Sequence, residues 1–242
     1  MAFHVGTSGW QYKHWRGPVY PEDLPVKDWL PYYAGRFQTV EVNNSFYRQP
    51  SDETWRRWRD SVPTDFRFAV KASRFISHFK RFKDPQESID RFIKGVEGLG
   101  DRVGPLLYQA RPDFARTPEN VRRMDAFMEL LPKQYDHVLE FRHESWFGHE
   151  TMEQLERHKV GFCSFDMPGQ EVPLVATTDF AYMRFHGATY KYAGNYTEAA
   201  LKHWANKLRA LLKDTRQVWV YFNNDDRGYA FKNAHTLSEM LG

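Results

Sequence analysis

The chain has 242 residues, of which 41% are hydrophobic, 17% aromatic and 27% charged, and its formal net charge is +3 at pH 7. This is the composition of a folded globular protein of one large or two small domains, and so mild a charge does not by itself call for a nucleic-acid partner. A single cysteine, Cys163, excludes an intramolecular disulfide and a cysteine-based zinc site, which fits a cytoplasmic location, and no apolar run approaches the ~18 residues that span a bilayer, so no membrane partner is expected.

The first apolar run, residues 3–7, reads as a strand that starts too early to leave room for a signal peptide. Behind it come Trp10, Tyr12, Lys13, His14, Trp15 and Arg16, aromatic rings beside cations that suit stacking on a sugar or base next to an anion. A helix is expected over 25–37. The run at 39–44 carries Glu41 and Asn43, with Tyr47 and Arg48 beyond it and a helix over 51–62. The run at 66–71 ends at Lys71 and leads into a loop, 73–83, in which basic and aromatic residues interleave. Asp84-Pro85 opens a helix, with Glu87 placed to complete a capping box.

The run at 104–109 ends at Gln109. Thr117-Pro118 opens a helix whose Val121, Met124, Phe127, Met128 and Leu131 follow helical spacing. The run at 138–143 carries Glu140 and Arg142, with Trp146 on the loop beyond and a helix over 150–158. The run at 160–166 ends at Asp166. Residues 167–179 contain two prolines and no helical period and are expected as a loop. The run at 181–187 carries Arg184 and His186. Thr197 then opens a helix with Leu201, Trp204, Leu208, Leu211 and Leu212 on one face. The last run, 218–225, carries Asn223 and precedes a helix over 228–241.

Eight strands with helices after nearly all of them imply a parallel sheet with crossover connections. At this length the expected fold is a single-domain (β/α)8 TIM-type barrel over 1–242, irregular after the sixth strand. An open doubly wound sheet would bury its strands as unbroken apolar runs, without polar residues at so many strand ends. Alternation along the strands puts Val40 and Val42 on one face and Glu41 and Asn43 on the other. It likewise separates Leu139 and Phe141 from Glu140 and Arg142, and Met183 and Phe185 from Arg184 and His186. The apolar face meets the helices, so the polar face looks into the barrel, near the C-terminal ends of the strands where barrel active sites form.

Within that set Glu41, Glu140 and Asp166 balance Lys71, Arg142 and Arg184. The bland reading is a buried structural ion network, which seldom adds net stability over apolar packing. The functional reading is an enzyme acting on a small anionic substrate by general acid/base chemistry. Arg142 and Arg184 would hold the anion, and Glu140 or Glu41 would be the acid/base group. Lys71 would polarise a carbonyl, stabilise an oxyanion or act as an amine nucleophile, and His186 would be the second proton carrier near neutral pH. Asn43, Gln109, Asp166 and Asn223 would add substrate contacts, and Trp10, Trp15, Tyr47 and Trp146 would wall the pocket. A divalent metal on Glu140, Asp166, His186 and Glu41 is possible by ligand type, but three nearby cations compete for the carboxylates, and no cofactor is assigned. The alternative is a nucleic-acid-binding protein or nuclease, its 74–83 loop with Arg16, Arg48 and Arg227 on phosphates and its tryptophans stacked on bases. A third option is a non-catalytic ligand-binding barrel. Zinc-protease, dinucleotide, phosphate-loop, nucleophile-elbow and calcium-loop patterns are absent or wrongly placed.

Seven segments in order, GTSGWQYKHWRG, FQTVEVNNSFYRQPS, FAVKASRFISH, GPLLYQ, VLEFRHESW, YMRFHG and VYFNNDDRGYAFKNA, resemble the YecE-like family, the domain of unknown function numbered seventy-two. The resemblance covers essentially the whole chain and departs from the usual pattern at YQARPDF. It implies a (β/α)8 barrel with its site at the strand ends, and no defined activity.

Overall fold

The computed structural model describes residues 2–190 and 192–242. Its strands are β1 (Ala2–Thr7), β2 (Thr39–Val42), β3 (Arg67–Lys71), β4 (Val103–Gln109), β5 (His137–Glu140), β6 (Gly161–Asp166), β7 (Phe180–Phe185) and β8 (Gln217–Phe222). Between and after them lie α1 (Trp29–Ala34), α2 (Asp52–Asp60), α3 (Gln86–Val96), α4 (Pro118–Glu129), α5 (His149–His158), α6 (Glu198–Leu212) and α7 (Tyr229–Leu241). Every ladder is parallel, and the strands run β1-β8-β7-β6-β5-β4-β3-β2 around one sheet. The expected (β/α)8 barrel is the observed fold.

Closure is completed by a side chain. No ladder joins β1 to β2 among the described residues. Instead the Tyr33 hydroxyl of α1 accepts from the Thr7 amide at 2.9 Å and donates to the Thr39 carbonyl at 3.1 Å, bridging the seam. The two strands come very close: a Cβ at Gly6 would stand 2.3 Å from the Thr39 carbonyl oxygen, so only glycine fits there. Above the seam, Asn43 Nδ2 donates to the Ser8 carbonyl at 2.9 Å.

Alternation divides the apolar residues into two cores. Val40, Val42, Leu139, Met183, Phe185, Val218 and Val220 pack outward under the helices. Ala69, Leu107, Val138, Cys163, Tyr182, Trp219 and Tyr221 fill the barrel. Thr117 and Thr197 cap α4 and α6 as their positions predict, each side-chain oxygen accepting from the amide three residues on. The capping box at Asp84 does not form. Asp84 has φ 43°, and α3 begins at Gln86 with no side-chain cap. As expected, no helix follows β6. Residues 167–179 lie along its outer face, where Thr177 Oγ1 accepts from the Phe162 amide and donates to the Val160 carbonyl, and Ser164 Oγ donates to the Pro173 carbonyl. Val172, Leu174, Val175 and Ala176 from this loop supply the packing that a helix gives elsewhere.

Candidate functional site

The polar strand ends meet at the C-terminal mouth, in two tiers. The lower tier is a closed ion network. Arg184 is fully buried on β7; its Nη2 donates to Glu41 Oε1 at 2.7 Å and its Nη1 to Glu140 Oε2 at 2.6 Å. Tyr182 donates to the other oxygen of Glu41 at 2.7 Å. Glu140 Oε1 accepts from Gln109 Nε2 at 2.8 Å and also pairs with Arg142 Nη2. Burial alone would raise the Glu140 carboxyl, but Arg142 and Arg184 outweigh it and hold the group well below the usual carboxylate range. Arg142 lies over the Phe165 ring at 4.5 Å, and its Nη1 reaches Met167 Sδ at 3.3 Å.

His186 completes this tier. Its Nε2 lies 2.7 Å from Arg142 Nη2 and 3.5 Å from Arg184 Nη1. Guanidinium groups only donate, so Nε2 presents its lone pair and the proton sits on Nδ1; the Asn223 side chain, 3.2 Å from Nδ1, must then turn its amide oxygen, not its NH2, toward the ring. Burial, and next the Arg184 charge, lower its pKa to about 3. The imidazole is therefore neutral across the physiological range. Burial and its cationic neighbours thus leave His186 poorly poised for the expected role of second proton carrier near neutral pH.

Lys71, at the end of β3, joins this tier to the open one above it. Its Nζ donates to Gln109 Oε1 at 3.0 Å and stands 4.2 Å from the Phe46 ring. Glu140 can only accept, so Gln109 must turn its NH2 toward Glu140 and its oxygen toward Lys71. No carboxylate pairs with Lys71 among the described residues. Burial first, then the Arg184 charge, lower its pKa to about 7, against an opposing pull from Glu140 and Glu41. Charge matching gives the reason. Glu41 and Glu140 are already met by Arg142 and Arg184, so a protonated Lys71 is the odd charge.

The third carboxylate of the expected balance is elsewhere. Asp166 shares its face of β6 with Phe162 and Ser164, so it points outward, where Tyr196 donates to its Oδ2 at 2.7 Å. Asp166 therefore neither lines the cavity at the mouth nor joins Glu140, His186 and Glu41 in the expected metal set. Among the described residues no group of three His, Cys, Asp or Glu side chains is placed to hold a metal ion.

The upper tier is a cavity of about 420 Å³ lined by Ser8, Gly9, Trp10, Gln11, Tyr12, Asn43, Asn44, Phe46, Tyr47, Lys71, Tyr192, Asn223 and Asp225. Lys71 is its single cation and Asp225 its single carboxylate among the described residues. Of the expected contacts, Trp10, Asn43, Tyr47 and Asn223 line it, and Gln109 lies directly beneath Lys71. Arg142 and Arg184 do not reach it, because both guanidinium groups are engaged by carboxylates; the expected anion clamp is corrected. Trp15 and Trp146 do not reach it either, because each is sealed in the core. Trp146 stacks on Phe141 at 4.4 Å and donates to the Phe114 carbonyl. Trp15 donates from Nε1 to the Asp225 carbonyl at 2.8 Å, and His14 Nε2 lies at the same distance from that oxygen.

Asp225 is the residue that strand-end reasoning missed. It sits past β8, on a loop clamped by Trp15 and His14 from the loop after β1. Its side chain stands at the cavity wall, and burial raises its pKa. The signal for it in the chain was its position, two residues beyond Asn223 on a loop at the mouth.

At the rim, residues Phe75–Phe79 form one wide π-type turn. Phe79 is 65% exposed, Phe75 46% and Tyr47 68%. The Arg74 guanidinium lies 5.4 Å from the rings of both Tyr47 and Phe79, and Lys80 Nζ lies 5.5 Å from Phe75.

Fold and site together define a (β/α)8 barrel protein with a small polar cavity floored by a lysine at its C-terminal mouth. The chain belongs to the family described as "Protein of unknown function DUF72", which matches over residues 4–242. It is 26% identical to the UPF0759 protein YunF of Bacillus subtilis, over 98% of this chain and 94% of that protein. It is 30% identical to the UPF0759 protein YecE of Escherichia coli K12, over 62% of this chain and 52% of that protein. The crystal structure of a DUF72 family protein from Thermotoga maritima superposes with a TM-score of 0.92 at 33% identity, covering 100% of this chain and 99% of that one. No helix among the described residues is long and apolar enough to cross a membrane.

Proposed function

We propose that this protein is an enzyme acting on a small polar molecule bound in the cavity at the barrel mouth, with Lys71 as its acid/base group. The observation that carries this reading is a lysine at the cavity floor with no carboxylate partner among the described residues, held near the pH at which an amine exchanges protons most usefully. A structural lysine would be paired or turned to solvent; Lys71 is 8% exposed and faces a cavity of ligand size. The ion network beneath is its support: Glu140 orients Gln109, and Gln109 orients the amine. Among the described lining residues an anionic substrate group would meet only Lys71, so the substrate carries its recognition mainly in hydroxyl or amide groups, matched by Asn43, Asn44, Asn223 and Gln11. Incubated with a cell metabolite extract, wild-type protein is expected to deplete at least one compound, and Lys71→Met to do so at least about 100-fold more slowly. Equal depletion by a folded Lys71→Met variant, or no depletion by wild type, overturns the reading.

A second reading rests on the rim. Tyr47, Phe75 and Phe79 with Arg74 between them would suit bases stacked on rings and phosphates on cations of a single strand. A labelled oligothymidylate should then bind at low salt, weaken steeply as salt rises, and lose roughly tenfold affinity in Phe79→Ala. Absence of binding at low salt removes this reading.

A further inference from the structure

We propose that Lys71 forms an imine with its substrate: the cavity takes a hydroxylated aldehyde or ketone, the Lys71 amine attacks its carbonyl carbon, and Asp225 delivers and removes the proton at the carbonyl oxygen. This rests on the reading of Lys71 above and names the substrate class for it. Three features of the cavity favour carbonyl chemistry over simple proton abstraction. First, the amine is held in an orientation that keeps its lone pair available. One N–H is fixed on Gln109 Oε1, whose amide cannot turn over because Glu140 accepts from its other end. Phe46 covers one flank at 4.2 Å. Second, no ion pair ties up the amine among the described residues. Third, imine formation needs a proton donor at the departing oxygen, and Asp225 shares the cavity, its backbone carbonyl clamped by Trp15 and His14. Burial lowers the Lys71 pKa and so favours the neutral amine that attacks; the Asp225 carboxyl is shifted upward by burial, against the pull of His14, whose Nε2 stands 3.5 Å from Oδ2. With Lys71 the single cation among the described lining residues, and amide side chains around it, the cavity suits a hydroxylated rather than a phosphorylated carbonyl compound.

The Nζ lone pair forms the C–N bond while the carbonyl π pair moves to oxygen. That oxygen takes a proton from the Asp225 carboxyl, and the new ammonium returns one to the carboxylate. A second protonation expels the oxygen as water and leaves the iminium. One amine, one carbonyl and one proton give one iminium and one water.

The probes are glyceraldehyde and dihydroxyacetone, each mixed with the full-length protein and reduced with sodium borohydride, whose hydride converts the iminium to a stable secondary amine. Peptide mass spectrometry at pH 7 should find the adduct on Lys71 at least tenfold above any surface lysine, with Asp225→Asn slowing its appearance tenfold or more. Acetic anhydride is the parallel probe of amine reactivity alone. If Lys71 is acetylated preferentially but never trapped by either carbonyl compound, imine formation is wrong and the acid/base reading stands. If Lys71 is neither acetylated nor trapped above the surface lysines, both are wrong. Trapping that is unaffected in Asp225→Asn overturns the role given to Asp225.

Discussion

Replacing Arg184 with methionine is expected to cost about 3–5 kcal/mol of stability, which for a chain of this size lowers Tm by roughly 10–15 °C. Arg184 is fully buried and supplies hydrogen bonds to Glu41 and Glu140. Its removal leaves Glu41 with Tyr182 as its hydrogen-bond donor in a closed interior, and an unpaired buried carboxylate is far more costly than a paired one is beneficial. The double variant Arg184→Met with Glu41→Gln should recover part of the loss, because it removes the charge left behind. That non-additivity distinguishes a charge effect from simple loss of packing. Urea unfolding with an unchanged m-value would report it. A Tm fall under about 3 °C for the single variant would show that the network is not a matched set. The same variant bears on the site, since the Arg184 charge follows burial among the causes that keep Lys71 neutral. Its loss should move preferential acetylation of Lys71 to higher pH.

The network and the cavity are thus separate layers with separate work. The paired charges below are sealed, and what they supply to the cavity is orientation and electrostatic bias. A barrel interior filled with Leu and Val would support the same fold at less electrostatic risk, so a buried set of this kind points to an electrostatic task at its boundary. The boundary is Gln109, which touches Glu140 on one side and Lys71 on the other.

The fold was legible because two periodicities recur: apolar runs of strand length and helical spacing between them. Alternation alone assigned Glu41, Glu140, Arg184 and His186 to the barrel interior, and the structure places them there. Along β6 the same alternation, counted from Cys163 in the barrel, turns Asp166 outward. That single parity matters, because it removes the carboxylate expected to balance Lys71. Trp15 and Trp146 look like pocket walls in the chain because loop aromatics beside cations often are. Burial decides otherwise, since each indole N–H finds a carbonyl and each ring a stacked or tilted partner in the core. Asp225 was hidden for the opposite reason. It lies beyond the last strand residue, and only the contact between the first and last loops brings it to the cavity.

Between pH 7 and 9.5 the wild-type protein should gain about 3 kcal/mol of stability relative to Lys71→Met. In the unfolded chain Lys71 keeps its proton up to about pH 10.5, and in the folded protein only up to about 7. Between those values the unfolded state binds the extra proton, so stability rises with pH; below 7 both states are protonated and the cost of burying the charge is constant. Methionine cannot titrate, so the difference between the two proteins isolates this lysine from the tyrosines, whose burial raises their pKa values and weakens folding only above the window. At pH 7 Lys71→Met should be the more stable protein, because the wild type must bury or give up a proton that its unfolded chain keeps, whereas Met fills similar volume and loses one hydrogen bond to an amide oxygen. Thermal unfolding of both across the window should show their Tm values converging by roughly 6–12 °C, the wild type rising toward the variant. Parallel pH curves would mean that Lys71 keeps an ordinary pKa in the folded protein. The neutral amine on which both the acid/base and the imine chemistry depend would then be absent at physiological pH.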